Sequence, residues 1–266
     1  MGTTRTVVIT GSASGMGAAT AALLRAQGDR VIGIDLRGAE IEADLGSVDG
    51  RSAAIDSVTE LSGGAIDGLV TWAGLGGLPG RDGSLLVSVN YFGSIALLEG
   101  LRPLLAKGTS PAAVAIASNS MTCQPGIPMD VVDACLEGDE PSARERADVA
   151  TSIMTYPATK LAVTRWARRH APGDHWAGAG IALNVLAPGA VETPLLQATK
   201  DDPTLGPLFE AFPVPIGRNG RPEELAAAVG FLLGPDARFL CGSVLVVDGG
   251  TEASLRPDDL PSPWNP

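Results

Sequence analysis

Cysteine, histidine and positive charge are all scarce in this chain, and each shortage removes a class of function. The 266 residues include three cysteines and two histidines. Cys123, Cys135 and Cys241 show neither a CxxC pair nor a metal-type spacing, and their odd number gives no disulfide framework. His170 and His175 have no acid or cysteine at ligand spacing, so both are expected at the surface and no metal site is expected. Lysine plus arginine total 19 against 30 aspartate plus glutamate, a net charge of −11, which argues against nucleic acid or an anionic membrane surface as partner. No window approaches roughly 18 uninterrupted apolar residues, so no membrane span is expected. Met1 leads within a few residues into a strand-like run, without the basic start and long apolar stretch of a signal peptide. The reducing cytoplasm is the simplest setting for such a chain.

What is present suits an α/β protein. The length allows one large domain or two small ones. The 45% hydrophobic content and 34 glycines fit a well-filled core of strands and helices. The β-branched run Thr6-Val7-Val8-Ile9-Thr10 reads as a strand buried on both faces. Gly11-Ser12-Ala13-Ser14-Gly15-Met16-Gly17 follows, then an Ala/Leu-rich helical run that Gly28 stops. A glycine-rich turn between strand and helix brings backbone N–H groups and the positive end of a helix against a pyrophosphate. The spacing is GxxxGxG rather than GxGxxG. The next strand, Arg30 to Asp35, ends in an acid that can accept both adenosine ribose hydroxyls and repel a 2′-phosphate, which favours NAD over NADP. Arg37 opposes that choice if it pairs with a phosphate, and is otherwise exposed.

A third strand at 41–45 carries Asp44 and Leu45, placed at the adenine. A helix over 49–61 leads to a strand at 67–72 and then Ala73-Gly74, where small residues let a nucleotide lie against the backbone. After an irregular glycine-rich loop, a long helix over 84–105 contains Asn90, a residue type that competes with helical backbone hydrogen bonding. A buried strand at 112–117 ends in Ser118-Asn119-Ser120, at the end of a central strand where open α/β sheets bind ligands. The acidic, proline-broken segment at about 123–150 reads as an insertion or cap holding one or two short helices, too small to bury a core of its own.

Only two tyrosines occur in the chain, and Tyr156 stands four residues before Lys160. On a helix that spacing puts phenol and ammonium on one face. A neighbouring positive charge favours phenolate, as a tyrosine acting as acid and base near neutral pH requires. Pro157 places Tyr156 near the helix start, with Thr151, Ser152 or Thr155 as caps. Beyond a strand at 181–186, the mostly apolar stretch at about 190–215 is expected to form a lid over a pocket. A helix at 222–233 and a strand at 244–247 close the sheet, and the proline-rich tail from Pro257 is loosely ordered or packs on a neighbouring subunit.

Taken together, Thr10-Gly11-xxx-Gly15-x-Gly17, Ala73-Gly74, Asn90, Ser118, Tyr156-xxx-Lys160 and Pro188-Gly189 resemble the short-chain dehydrogenase/reductase family over nearly the whole chain. Val89-Asn90-Tyr91-Phe92-Gly93 and the run from Ala187 to Gln197 resemble its bacterial 3α-hydroxysteroid dehydrogenase/carbonyl reductase subgroup. So does the long gap between Ser118 and Tyr156. The resemblance implies a single Rossmann-like domain over 1–266, a doubly wound parallel sheet with helices on both faces. It implies NAD-dependent hydride transfer between a secondary alcohol and a ketone. Tyr156 would be the acid/base and Lys160 would hold the nicotinamide ribose and lower the tyrosine pKa. Ser118 would bond the substrate oxygen, with Ser120 as a fallback, and Asn90 would hold a water relaying protons toward Lys160. Gly11, Ser12, Ser14, Gly15, Met16, Gly17, Asp35, Asp44, Leu45, Ala73, Gly74, Pro188, Gly189, Val191 and Thr193 would join Tyr156 and Lys160 in binding the cofactor.

Two positions depart from the family pattern. Trp72 stands where an asparagine is usual, so one cofactor-side hydrogen bond is lost or replaced. Ala117 stands where many members have a second serine. A homo-oligomer, dimer or tetramer, is implied, with an interface altered by the insertion. Leu195, Leu196, Leu208, Phe209, Met121 and Met129 are candidates to line an apolar pocket for a steroid or another bulky ketone. A smaller terpenoid or aryl carbonyl is the competing substrate, and a dinucleotide sensor without turnover is the competing class.

Overall fold

The computed structural model describes residues 4–259. Most of the tail considered above, residues 260–266, lies outside them. Seven strands form one parallel sheet: β1 (Thr6–Thr10), β2 (Arg30–Asp35), β3 (Ile41–Glu42), β4 (Gly68–Thr71), β5 (Ala112–Ile116), β6 (Ala182–Pro188) and β7 (Val244–Val247), in the order β3-β2-β1-β4-β5-β6-β7. The central strands are apolar runs buried along almost their whole length, as a sheet covered by helices on both faces requires. The chain leaves β1 toward β2 on one side and returns to β4 on the other. That reversal opens a crevice at the carboxyl ends of β1 and β4.

Helix α1 (Gly15–Ala26) packs against α11 (Pro222–Leu233) on one face of the sheet. On the other lie α2 (Val48–Ser62), the composite helix Gly83–Leu105 and α8 (Ser152–His170). β3 is shorter than expected because the Asp44 carboxylate accepts the Gly46 N–H at 2.9 Å and turns the chain into α2. Ser47 caps α2, its hydroxyl accepting the Gly50 N–H at 3.0 Å, and Gly63 ends it in the left-handed conformation at φ 68°.

The composite helix has three parts: α3 (Gly83–Leu86), a π-helical segment Val87–Gly93 with Asn90 at its centre, and α4 (Ser94–Leu105). Its length and mean hydropathy of 1.4 would allow it to cross a membrane, but 67% of that window is buried in the protein. It is a core helix.

The segment read as an insertion contributes α5 (Ser120–Cys123), α6 (Met129–Glu137) and α7 (Glu140–Val149). It borrows the main core: Val131, Val132, Ala134 and Cys135 are fully buried against it, and α6 packs on α8. It therefore lies behind the crevice as a buttress and does not cap it.

Thr151 caps α8, accepting the Met154 N–H at 3.4 Å. Pro157 lies inside the helix, in its second turn and not in the first turn where it was expected. Its missing N–H would leave the Ile153 carbonyl without a helical partner, and Gln124 Nε2 donates to that carbonyl at 3.1 Å. The expected lid folds as α9 (Pro194–Asp201) and α10 (Leu205–Glu210), packed on one another. α12 (Thr251–Leu255) follows β7.

Gly83 is where α3 touches the buttress, and a Cβ there would collide with the Ala147 carbonyl. Gly83→Ala is expected to lower the unfolding free energy by ~1–3 kcal/mol, the usual cost of overpacking, read from the urea midpoint. An unchanged midpoint would mean that the insertion does not pack here as described.

Candidate active site

The carboxyl ends of β1, β2, β4 and β6 carry the residues singled out by spacing. Gly11, Ser14, Gly15, Met16, Gly17, Asp35, Asp44, Leu45, Ala73, Gly74 and Thr193 line one cleft of about 570 Å³. The turn after β1 is glycine-dependent. Gly11 sits at φ 66°, where a Cβ would come within 2.7 Å of the Ala73 nitrogen, and Gly15 sits at φ 52° facing Thr193. Ser14 precedes α1 without capping it, and no acidic residue stands in the first turn, so the positive end of α1 opens on the cleft. Asp35 is held across the turn: its Oδ2 accepts the Ala13 N–H at 2.9 Å and its Oδ1 the Leu36 N–H at 2.7 Å. Each oxygen keeps a lone pair for a further donor. Arg37 is exposed and does not line the cleft.

Four of the residues expected to bind the cofactor do not line this cleft. Ser12 turns its hydroxyl toward the Ile34 carbonyl, and a Cβ on Gly33 would meet it at 2.5 Å. Pro188 and Gly189 are tied to neighbouring backbone, the Pro188 carbonyl accepting the Asn119 N–H at 2.9 Å and the Gly189 N–H donating to Val247 at 3.0 Å. Val191 is buried. The reading from sequence missed Leu36, Leu75, Arg81 and Val89, which also line the cleft. Leu36 and Val89 directly follow or precede residues it had selected. Trp72 lines the cleft too, with its indole N–H satisfied by Thr20 Oγ1 at 2.9 Å and that hydroxyl donating to the Met16 carbonyl at 2.8 Å.

Lys160, Tyr156, Ser118 and Asn90 gather beside Gly74, and none of the four itself lines the cleft. A Cβ on Gly74 would lie 3.2 Å from Asn90 Oδ1 and 3.5 Å from Lys160 Nζ. Lys160 is 4% exposed, and its ammonium donates to the Ile116 carbonyl at 3.2 Å. Burial pushes it down from 10.5 to about 8. Nζ stands 5.8 Å from the centre of the Tyr156 ring. The expected lowering of the tyrosine does not dominate: burial raises the phenol above its ordinary value, and the Ser118 hydroxyl, within hydrogen-bonding reach, opposes that rise. At neutral pH the phenol is a proton donor. Ser118 Oγ accepts the Ser120 N–H at 3.2 Å, which leaves its own proton free to point outward. Ser120 Oγ is the one buried side-chain polar atom without a partner among the described residues.

Asn90 is fully buried, and its amide is committed. Oδ1 accepts the Leu75 N–H at 2.7 Å, while Nδ2 donates to the Leu75 carbonyl at 2.9 Å and to Thr159 Oγ1 at 3.3 Å. Oδ1 accepts one hydrogen bond and keeps a second lone pair, so it retains room for the expected water, and the bonds to Leu75 fix the loop after Gly74. Of the apolar candidates, Leu195 lines the cleft, Leu196 is buried beside it and Phe209 is half-buried. Met121 is core, its sulfur accepting Thr164 Oγ1 at 3.0 Å, and Leu208 and Met129 face solvent.

A family model described as enoyl-(acyl carrier protein) reductase matches residues 143–252. The 3-alpha-hydroxysteroid dehydrogenase/carbonyl reductase of Comamonas testosteroni is 41% identical over 254 residues, 94% of this chain and 98% of that protein. The crystal structure of the 3-alpha-hydroxysteroid dehydrogenase from Pseudomonas sp. B-0831, complexed with NADH, superposes with a TM-score of 0.92 at 49% identity, covering 95% of this chain and 99% of that one. The 2,5-dichloro-2,5-cyclohexadiene-1,4-diol dehydrogenase of Sphingobium indicum is 30% identical over 94% of this chain and 97% of its own length.

The lysine gives a signed pH dependence. A folded-state value near 8 against 10.5 means that the charged form disfavours the fold below pH 8 and that this penalty vanishes between about pH 8 and 10.5. Without added dinucleotide, the wild type is expected to gain on the order of 2–3 kcal/mol relative to Lys160→Met across that window. The check is urea unfolding of both proteins at a series of pH values, and a constant difference would contradict the assignment.

Proposed function

The chain belongs to the short-chain dehydrogenase/reductase family of oxidoreductases, and from that premise we propose that it interconverts a secondary alcohol and a ketone on an apolar substrate with NAD. The observation that carries this reading is the convergence of Ser118, Tyr156 and Lys160 beside Gly74, a glycine that lines the same cleft as Asp35. A 3α-hydroxysteroid is the proposed substrate class, supported by the two hydroxysteroid dehydrogenases above and by Leu195 at the mouth of the cleft.

The residues present fit a dinucleotide. Gly11, Gly15, Gly17 and Gly74 line the cleft without side chains, and the uncapped end of α1 suits a diphosphate. Asp35 would hold the adenosine ribose and repel a 2′-phosphate. NAD, when bound, supplies the hydride. The protein's own part is proton and charge handling. In reduction, Tyr156 gives its phenolic proton to the substrate oxygen while Ser118 donates a hydrogen bond to that oxygen, where negative charge builds. In oxidation the same phenol must first lose its proton, and the nearby Lys160 ammonium stabilises the phenolate. Lys160 also donates to the nicotinamide ribose. Asn90 holds Leu75, and through it the wall of the cleft, in place.

The test is reduced-nicotinamide absorbance during incubation with NAD or NADP and a panel of 3α- and 3β-hydroxysteroids, terpene alcohols and aryl alcohols. Turnover is expected with 3α-hydroxysteroids and NAD, with KM for NADP at least about tenfold higher, since a repelled phosphate costs more than 1.4 kcal/mol. Turnover confined to the smaller alcohols would discard the steroid reading. Tyr156→Phe is expected to lose at least ~10²-fold in kcat with NAD affinity within about twofold. A variant that keeps its output would point instead to a dinucleotide sensor.

A further inference from the structure

The buttress grips the cleft through one face of one helix. Glu140, Arg144 and Asp148 stand four residues apart on α7, hence in one row. Asp148 Oδ1 accepts the Ser84 N–H at 2.8 Å, and Arg144 Nη1 donates to Ser88 Oγ at 2.5 Å. Glu140 takes the guanidinium of Arg51, from α2, with both oxygens, at 2.7 and 2.8 Å. The side chain of Arg51 is 7% exposed, and Nε and Nη2 are also directed at backbone carbonyls. Nε donates to the Leu45 carbonyl at 2.8 Å, and Nη2 to the Ser88 carbonyl at 2.9 Å and the Gly46 carbonyl at 3.3 Å. Its carbon lies 5.9 Å from the centre of the Phe92 ring.

These partners belong to two walls of the cleft. Asp44 and Leu45 line its adenine side, and Ser88 precedes Val89, which lines it from the π-helical segment. One buried guanidinium thus ties the two walls together, and the insertion supplies its counter-charge. A buried ion pair contributes little net stability because desolvation offsets the attraction, while its fixed fork geometry sets position well. We propose that Arg51, locked by Glu140, is a positioning residue for the adenine half of the dinucleotide cleft, and that the insertion serves to hold it there. This rests on the dinucleotide reading above.

The test uses the full chain with Arg51→Lys, Glu140→Gln and the double variant. Calorimetry measures affinity for NAD and for AMP, and kcat is read at saturating NAD with an alcohol that the wild type turns over. Both single variants are expected to weaken NAD and AMP by about tenfold, a loss of ~1.4 kcal/mol. kcat should stay within about twofold, since Asn90 keeps its own bonds. The double variant should be no worse than the worse single, because the two residues act as one unit. Unchanged nucleotide affinity with only a lower melting temperature would overturn the proposal, as would additive losses or a loss for NAD without one for AMP. Should Arg51→Lys not fold, Glu140→Gln decides alone. Wild-type protein that binds neither nucleotide would instead sink the parent reading, and this one with it.

Discussion

A lysine ammonium with 4% exposure and, among the described residues, a single acceptor at Ile116 is the constraint around which this molecule is arranged. An ammonium carries three donors, and taking it from water is costly unless those donors are met. The cost is visible in the downward shift of Lys160 to about 8. On the proposed reading its open donors await a partner bearing hydroxyls, and the neighbouring cleft carries Asp35 in its lining.

The elements nearby are placed by what Lys160 demands. β5 ends at Ile116, so that its last carbonyl meets the ammonium and Ser118 follows at the rim. The helix opposite widens into a π turn at Asn90, and the buried amide spends its bonds on Leu75 and Thr159, closing off the loop that follows Gly74. Behind that turn stand insertion helices α6 and α7, with α7 joined to it by Arg144 and to α2 by Glu140 and Arg51. Their apolar side is buried in the main core. The result is a cleft whose walls are stiffened from outside the sheet.

Most of this was legible from spacing. Continuous β-branched runs marked the buried strands, and the helix at 222–233 and the strand at 244–247 fell where read because proline, glycine and a change of hydrophobic period bounded them. Tyr156 and Lys160 were legible because helical geometry is fixed by a four-residue step. What could not be read depended on tertiary partners. The π turn arises from a buried amide meeting a particular loop, and the committed state of Asn90 depends on where Leu75 lies. The raised Tyr156 reflects burial, which a Tyr-Lys spacing does not encode. Arg51 carried no signal in the sequence, since Glu140 is 89 residues away. Met121 and Met129 fall in the short helices α5 and α6, and an apolar residue there does not announce whether it will face the core, the cleft or solvent.

The central claim is that the dinucleotide completes the hydrogen bonding of the Lys160 ammonium. Bonds to the charged form favour it, so binding should raise the lysine pKa and take up protons where the free protein has lost them. Calorimetry of NADH binding in buffers of different ionisation enthalpy measures that uptake. A substantial fraction of a proton is expected at about pH 8.5, close to none near pH 6.5, and none at either pH in Lys160→Met. Binding with no proton uptake at any pH in the wild type would contradict the account.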